Sequence, residues 1–259
     1  MIHIHLADQY KSGSSPIHRL DPRIKIIGTI LFIALATGLP SGAWLPYTFL
    51  WLGSLAVAAS SRLGWSYALK RSFVALPFAL AAITLPFTIE GQPIAKFGSF
   101  TLSAEGSVRF LSILIKSWVS VQIAIMLPAT TRFTDLLWAM RELRIPKPLV
   151  GIVSFMYRYL FVFADEALRL LRARAARSAT IDNKGGGSLW WRGKIAGGMV
   201  GNLALRAFER SERIYDAMIS RGFQDEIKIL APPRLTQRDY SLLIAWTAYL
   251  ASILLGSFI

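Results

Sequence analysis

The sequence predicts an all-α polytopic membrane protein of about five transmembrane helices, with a helical cytoplasmic domain inserted before the last of them. Composition is the first observation. The 259 residues are 54% hydrophobic and only 17% charged, against about 25% charged in an ordinary soluble domain, and the mean hydropathy is +0.46. The second is a set of apolar runs of near-spanning length at 24–40, 43–60, 72–89, 110–129 and 241–259, since about 20 mainly apolar residues cross the hydrocarbon core. The third is the charge: 29 Lys and Arg against 15 Asp and Glu leave +14, and the excess is distributed unevenly about those runs. It reads as loops held at the cytoplasmic face rather than as a nucleic-acid surface.

Residues 1–23 are a polar leader with Lys11, Arg19 and Arg23. The first apolar run carries Ala34-Leu35-Ala36, which has the small-x-small form of a signal cleavage site. The long leader and the further runs make it an anchor instead. Ser41 lies in a connection so short that the first two runs form a helical hairpin.

A sixth run, 149–164, decides the topology. Arg158 sits in its middle between Tyr157 and Tyr159, and a central Arg costs roughly 2.5–3.5 kcal/mol on insertion. If it crossed, one of two strongly basic segments would face outward. If it does not, residues 1–23, the loop 61–71 and all of 130–240 lie inside, and the outer loops hold Glu90, Lys96 and Glu105 and little else. The expected topology is five spans in the cytoplasmic membrane, N-terminus inside and C-terminus outside.

The organisation is then 1–129, the N-terminal segment and four spans; 130–240, the insert; and 241–259, the last span. The insert holds 19 of the 29 basic and 11 of the 15 acidic residues, which makes it a domain rather than a loop. Its pattern is helical: 134–143, stopped by Pro146-Lys147-Pro148; a long rod over 150–178; and a third helix over about 198–221 whose apolar positions recur at three and four. Residues 182–188 read as a flexible link. Lys184 precedes Gly185-Gly186-Gly187 there, the reverse of a phosphate-binding loop. Trp190-Trp191 followed by Arg192 and Lys194 reads as an interfacial anchor.

Both long helices end alike. Arg177 stands between Ala176 and Ser178, and Arg221, 44 residues on, between Ser220 and Gly222. Small neighbours let a partner's backbone approach, and a guanidinium at a helix C-terminus is favoured by the dipole and can fork onto a carboxylate. Either triplet alone is an ordinary helix ending. The pair, on two amphipathic helices of one insert, points to a docking function.

At these residues the chain resembles the transmembrane T component of energy-coupling factor transporters, most closely the cobalt-group, CbiQ-type members. The resemblance covers nearly the whole chain. It is carried by His18-Arg19-Leu20-Asp21-Pro22-Arg23, Thr131-Arg132-Phe133, Ile145-Pro146, Tyr157 to Phe161 with Asp165-Glu166-Ala167, Arg206 to Arg213, Ala217-Met218 and Arg221-Gly222-Phe223.

The resemblance implies a non-catalytic subunit of an ATP-driven importer whose insert is a coupling-helix domain. Ala176-Arg177-Ser178 and Ser220-Arg221-Gly222 would each dock on one of two ATP-binding-cassette subunits, and Phe155, Met156, Tyr157, Phe161 and Met218 would contact a separate substrate-capture membrane protein. The family commonly has Gly where this chain has Ser178, a conservative change. This chain would bind no cofactor, ATP and magnesium being used by the partners. The cargo expected from the cobalt-group wording is cobalt or nickel ion, with a vitamin such as biotin as the alternative.

Other signals are discounted. The absence of cysteine removes disulfides, thiolate metal sites and thiol catalysis. His3, third from the amino end, is a weak metal candidate, read as part of a polar tail. Lys116, inside the fourth run, reads as snorkelling or held by a structural partner. An intramembrane lipid-modifying enzyme would need a motif such as HExxH or GxSxG, and the chain has neither. A self-sufficient carrier would show inverted repeats or midplane broken helices.

Overall fold

The computed structural model describes residues 10–89, 91–97, 100–177, 188–223 and 235–257. Packing divides the chain into two compact units: α1–α8 with α11 in one, α9 and α10 in the other.

In the first unit, α1 (Pro16–Arg19) leads into α2 (Pro22–Gly38). Asp21 caps α2, its carboxylate accepting the Arg23 N–H at 2.8 Å, and Pro22 at the first position gives up an N–H that the helix does not use. After a turn at Gly42, whose φ of +87° suits glycine, α3 runs Trp44–Ser60. The α2–α3 hairpin is therefore as expected.

The run 72–89, expected as one continuous span, is broken. It divides into α4 (Trp65–Arg71), a 3-10 turn (Ser72–Ala75), α5 (Leu76–Ala82) and α6 (Leu85–Thr88), and the stretches Tyr67–Ala75 and Leu80–Thr88 meet at 44°. Pro77 and Pro86 each occupy the start of a new helix because neither can donate the N–H that continuation requires. The stretch after α6 departs from the all-α expectation. Strands β1 (Pro93–Phe97) and β2 (Phe100–Ser103) pair antiparallel, Lys96 opposite Thr101.

The longest element of this unit is α7 (Ala104–Thr130), started by Ser103, whose hydroxyl accepts the Gly106 N–H at 3.0 Å. It packs against α2, α3, α4, α5 and α6 and supplies Val119 and Ile123 to a core with Phe32, Ala36, Tyr47, Leu50, Leu250 and Ile253. The last helix, α11 (Gln237–Gly256), lies on α2 and α3. Trp246 stacks on Phe32 at 5.8 Å and donates to the Gly28 carbonyl at 3.2 Å, and Tyr249 donates to the Phe49 carbonyl at 2.5 Å. The short α8 (Phe133–Glu142) packs on α2 through Trp138, Ala139 and Ile26.

The second unit is the pair α9 (Lys147–Arg177) and α10 (Leu189–Ser220). Both are longer than the sequence pattern suggested. Pro148, just after the stop that ends α8, lies in the first turn of α9, where a missing N–H is harmless. Ser188, accepting the Trp191 N–H at 3.3 Å, starts α10 nine residues ahead of the expected boundary.

Among the described residues α7, α9 and α11 are long and apolar enough to cross a membrane, and the bent pair Tyr67–Ala75 with Leu80–Thr88 would be a fourth span. The 17-residue helices α2 and α3 measure about 25 Å each at 1.5 Å per residue, a little under a hydrocarbon core of about 30 Å. The protein is thus a multi-pass, α-helical membrane protein with a β-hairpin between α6 and α7.

Candidate functional site

The candidate residues lie on α9 and α10. At 1.5 Å per residue these rods, 31 and 32 residues long, extend about 46–48 Å. Glu166 of α9 holds them together. It accepts from Arg206 Nη1 at 2.6 Å, and Arg210 Nη2 lies 3.8 Å from its other oxygen. Arg206 and Arg210 are one helical turn apart, so a single carboxylate spans two cations on one face of α10.

Arg177 is the last residue of α9, exposed together with Ala176; Ser178 lies outside the described residues. Arg221 is exposed and caps α10. The end of α10 is a Schellman turn. Phe223 N–H donates to the Met218 carbonyl at 3.0 Å, Gly222 N–H to the Ile219 carbonyl at 2.9 Å, and Gly222 has φ +77°. That geometry accounts for the glycine by itself.

Alongside the Glu166 bridge runs an apolar groove of about 780 Å³ between the rods. Phe155 and Met156 from α9 and Met218 from α10 line it, joined by Tyr159 and Phe163 opposite Ala207, Phe208 and Tyr215. Tyr157 and Phe161 are not among its lining residues; they pack edge-to-face on each other at 5.2 Å. Three of the five residues expected at a capture-subunit contact thus share one groove, and two do not. Met156 and Phe208 are 60% and 71% exposed, so the groove presents apolar surface that its own helices leave uncovered. Helical spacing could have found Tyr159 and Phe208, four positions from Phe155 and Ala204, but not Glu166, whose partners are 40 and 44 residues away.

The N-terminal signature residues sit elsewhere, at the base of the other unit. Asp21 N–H donates to Asp239 Oδ1 at 3.3 Å. Lys25 Nζ donates to the His18 and Thr130 carbonyls at 3.4 and 3.2 Å and to Thr131 Oγ1 at 3.0 Å. Arg23 lies over the Trp138 ring at 4.2 Å and 3.7 Å from Glu142. Leader, α2, the α7–α8 turn, α8 and α11 are therefore joined by polar contacts between distant parts of the sequence. His18 is engaged in the same region, its Nδ1 2.6 Å from Ser15 Oγ and its Nε2 2.9 Å from the Lys11 carbonyl. His3 lies outside the described residues. Among the described residues no group of three or more His, Cys, Asp or Glu side chains is placed to hold a metal ion.

The discounted Lys116 has a structural partner. Its ammonium donates to the carbonyls of Thr37, at 3.4 Å, and Leu39, so it neutralises the negative end of the α2 dipole.

The family model of the cobalt transport protein CbiQ matches residues 13–229, which include the leader signature, both rods and both arginines. Among individual relatives, the energy-coupling factor transporter transmembrane protein EcfT of Brevibacillus brevis is 28% identical over 258 residues, 96% of each chain. EcfT of Bacillus subtilis is 27% identical over 229 residues, 83% of each chain. The cobalt transport protein CbiQ of Rhodobacter capsulatus is 26% identical over 204 residues, 77% of each chain. These matches extend along the chain rather than resting on one motif, and the chain belongs to the CbiQ family of cobalt transport proteins, as a cobalt-group T component of energy-coupling factor transporters.

Proposed function

We propose that this T component links two ATP-binding-cassette subunits to a cobalt- or nickel-capturing membrane subunit, with Arg177 and Arg221 as its two handles and the α9–α10 groove as the seat of the capture subunit. The observation that carries the proposal is the pair of exposed terminal arginines on the two long rods of one unit, which a carboxylate bridge joins. ATP binding draws the ATPase subunits together, each gripping one arginine. The rods transmit that motion to the groove, and the capture subunit tilts and releases its ion. Hydrolysis takes place in the partners.

In this reading α9 stays at the cytoplasmic face. Arg158 interrupts its apolar half, and Arg169, Arg172, Arg174 and Arg177 load its second half, a charge density a span does not tolerate. Five spans then cross, N-terminus inside and C-terminus outside, with the bent pair as the third. The family model's cobalt description supports the cargo.

The test is co-expression with the ATPase and capture subunits, followed by co-purification and uptake of labelled cobalt, nickel and biotin. Losing a desolvated Arg–carboxylate pair at an interface costs about 2–5 kcal/mol, so Arg177→Ala with Arg221→Ala should still insert but should lose the ATPases or uncouple hydrolysis from uptake. The exposed Arg213→Ala should do much less. A double variant that assembles and transports normally would refute the handle assignment, and uptake of biotin but not of cobalt would refute the cargo.

A further inference from the structure

Three consecutive apolar residues fill most of the first turn of α10 and stand on the exposed surface. Leu189, Trp190 and Trp191 follow one another at 100° intervals and are 86%, 84% and 46% exposed. Burying residues of this size removes large apolar areas from water, and an indole joins an apolar body to a polar N–H, which suits the headgroup layer. Charge marks the same stretch. Arg192 and Lys194 follow on the exposed surface, and from Leu189 to Phe208 there is no Asp or Glu; the acids of α10 begin at Glu209. Acid-free, basic and tryptophan-led, this end of the rod is complementary to an anionic lipid surface and ill suited to a basic or purely apolar one.

We infer that the N-terminal turn of α10 is a peripheral membrane anchor, Leu189, Trp190 and Trp191 entering the cytoplasmic leaflet while Arg192 and Lys194 hold anionic phospholipid headgroups. The anchor fixes one end of α10 in the plane of the bilayer and leaves the Arg221 end to move. Its residues are distinct from those of the groove and from both arginine handles, so it stands or falls independently of the coupling assignment.

The cysteine-free chain lends itself to the test. Leu189→Cys, labelled with an environment-sensitive fluorophore, is reconstituted as full chain into vesicles of phosphatidylcholine with or without one quarter phosphatidylglycerol, loaded with iodide on both faces; Asp216→Cys is the aqueous control. The expected result is blue-shifted emission and strong shielding from iodide at 189 in the anionic vesicles, weaker shielding in the neutral ones, and full accessibility at 216. Arg192→Glu with Lys194→Glu should shift the partition by at least about 30-fold, near 1 kcal/mol for each cation removed, and Trp190→Ala with Trp191→Ala should expose the probe without altering co-purification with the ATPases. A probe at 189 as accessible as one at 216 would overturn the anchor, and shielding indifferent to lipid charge would overturn the headgroup contact.

Discussion

Glu166 on α9 accepts a hydrogen bond from Arg206 on α10 at 2.6 Å, across 40 residues of sequence. With Arg210 one turn further along, it is the polar tie between the two rods. The Arg206 side chain is about half exposed, so solvent screens the pair and its interaction energy should be about 0.5–1 kcal/mol. A double-mutant cycle of Glu166→Ala and Arg206→Ala on thermal unfolding of the purified chain measures it. Uncoupling of ATP hydrolysis from uptake in Glu166→Ala, at little cost in stability, would be the functional sign of loosened rods; strict additivity in the cycle would dismiss the tie.

Lys116→Met should destabilise the membrane unit by about 1–2 kcal/mol, because it keeps the aliphatic stem and removes the only cation at the carbonyl end of α2 among the described contacts. Thermal unfolding in detergent should show the loss, with Lys116→Arg intermediate. Unchanged melting in the Met variant would return Lys116 to simple snorkelling.

Arg23 joins α2 to α8 through the Trp138 face and Glu142. Removing a cation–π contact and a half-exposed ion pair together costs about 1–2 kcal/mol, so Arg23→Ala should let α8 detach locally. Limited proteolysis should then cut faster near Arg144, which holds a left-handed φ of +66° just after α8. Arg23→Lys should protect in part, and equal cutting rates in all three proteins would dismiss the latch.

Two glycines should answer alanine in opposite senses. A Cβ at Gly106 would lie 2.6 Å from the Leu85 carbonyl oxygen and 2.9 Å from Pro86 Cα, both backbone, whereas one at Gly151 meets nothing within 4 Å. Gly106→Ala should cost about 1–3 kcal/mol by forcing α6 off α7. Gly151→Ala should gain about 0.5–1 kcal/mol from helix propensity. Melting temperatures that moved together would contradict the packing.

Topology is read out with single cysteines at Arg71, Arg158, Gln92 and Lys184 and an impermeant reagent on intact cells. The five-span arrangement expects labelling at 92 alone. Labelling at 184 but not at 92 would invert it, and labelling at both 92 and 184 would put α9 through the bilayer.

What the sequence determined by itself was whatever depends on neighbours along the chain. Apolar runs of spanning length, the placement of Arg and Lys, the cap at Asp21 and the glycine stop after Arg221 all act within a turn or two of helix, and so did the family signature. Its boundaries slipped where a local rule has a positional exception: Pro77 and Pro86 were read through yet break the third apolar run. The hairpin at β1 and β2 was hidden because its register needs both strands at once.

Tertiary structure alone decided the rest. Lys116 finds the end of α2 some 77 residues away, Asp239 receives the Asp21 N–H across 218 residues, and Glu166 selects Arg206. It also sorted Phe155, Met156 and Met218 into one groove while turning Tyr157 and Phe161 aside. Charge and apolarity can be counted from a sequence because they are properties of single residues, whereas a partner is fixed only when two helices cross at a particular angle and register, and that is set by the packing of all the side chains between them.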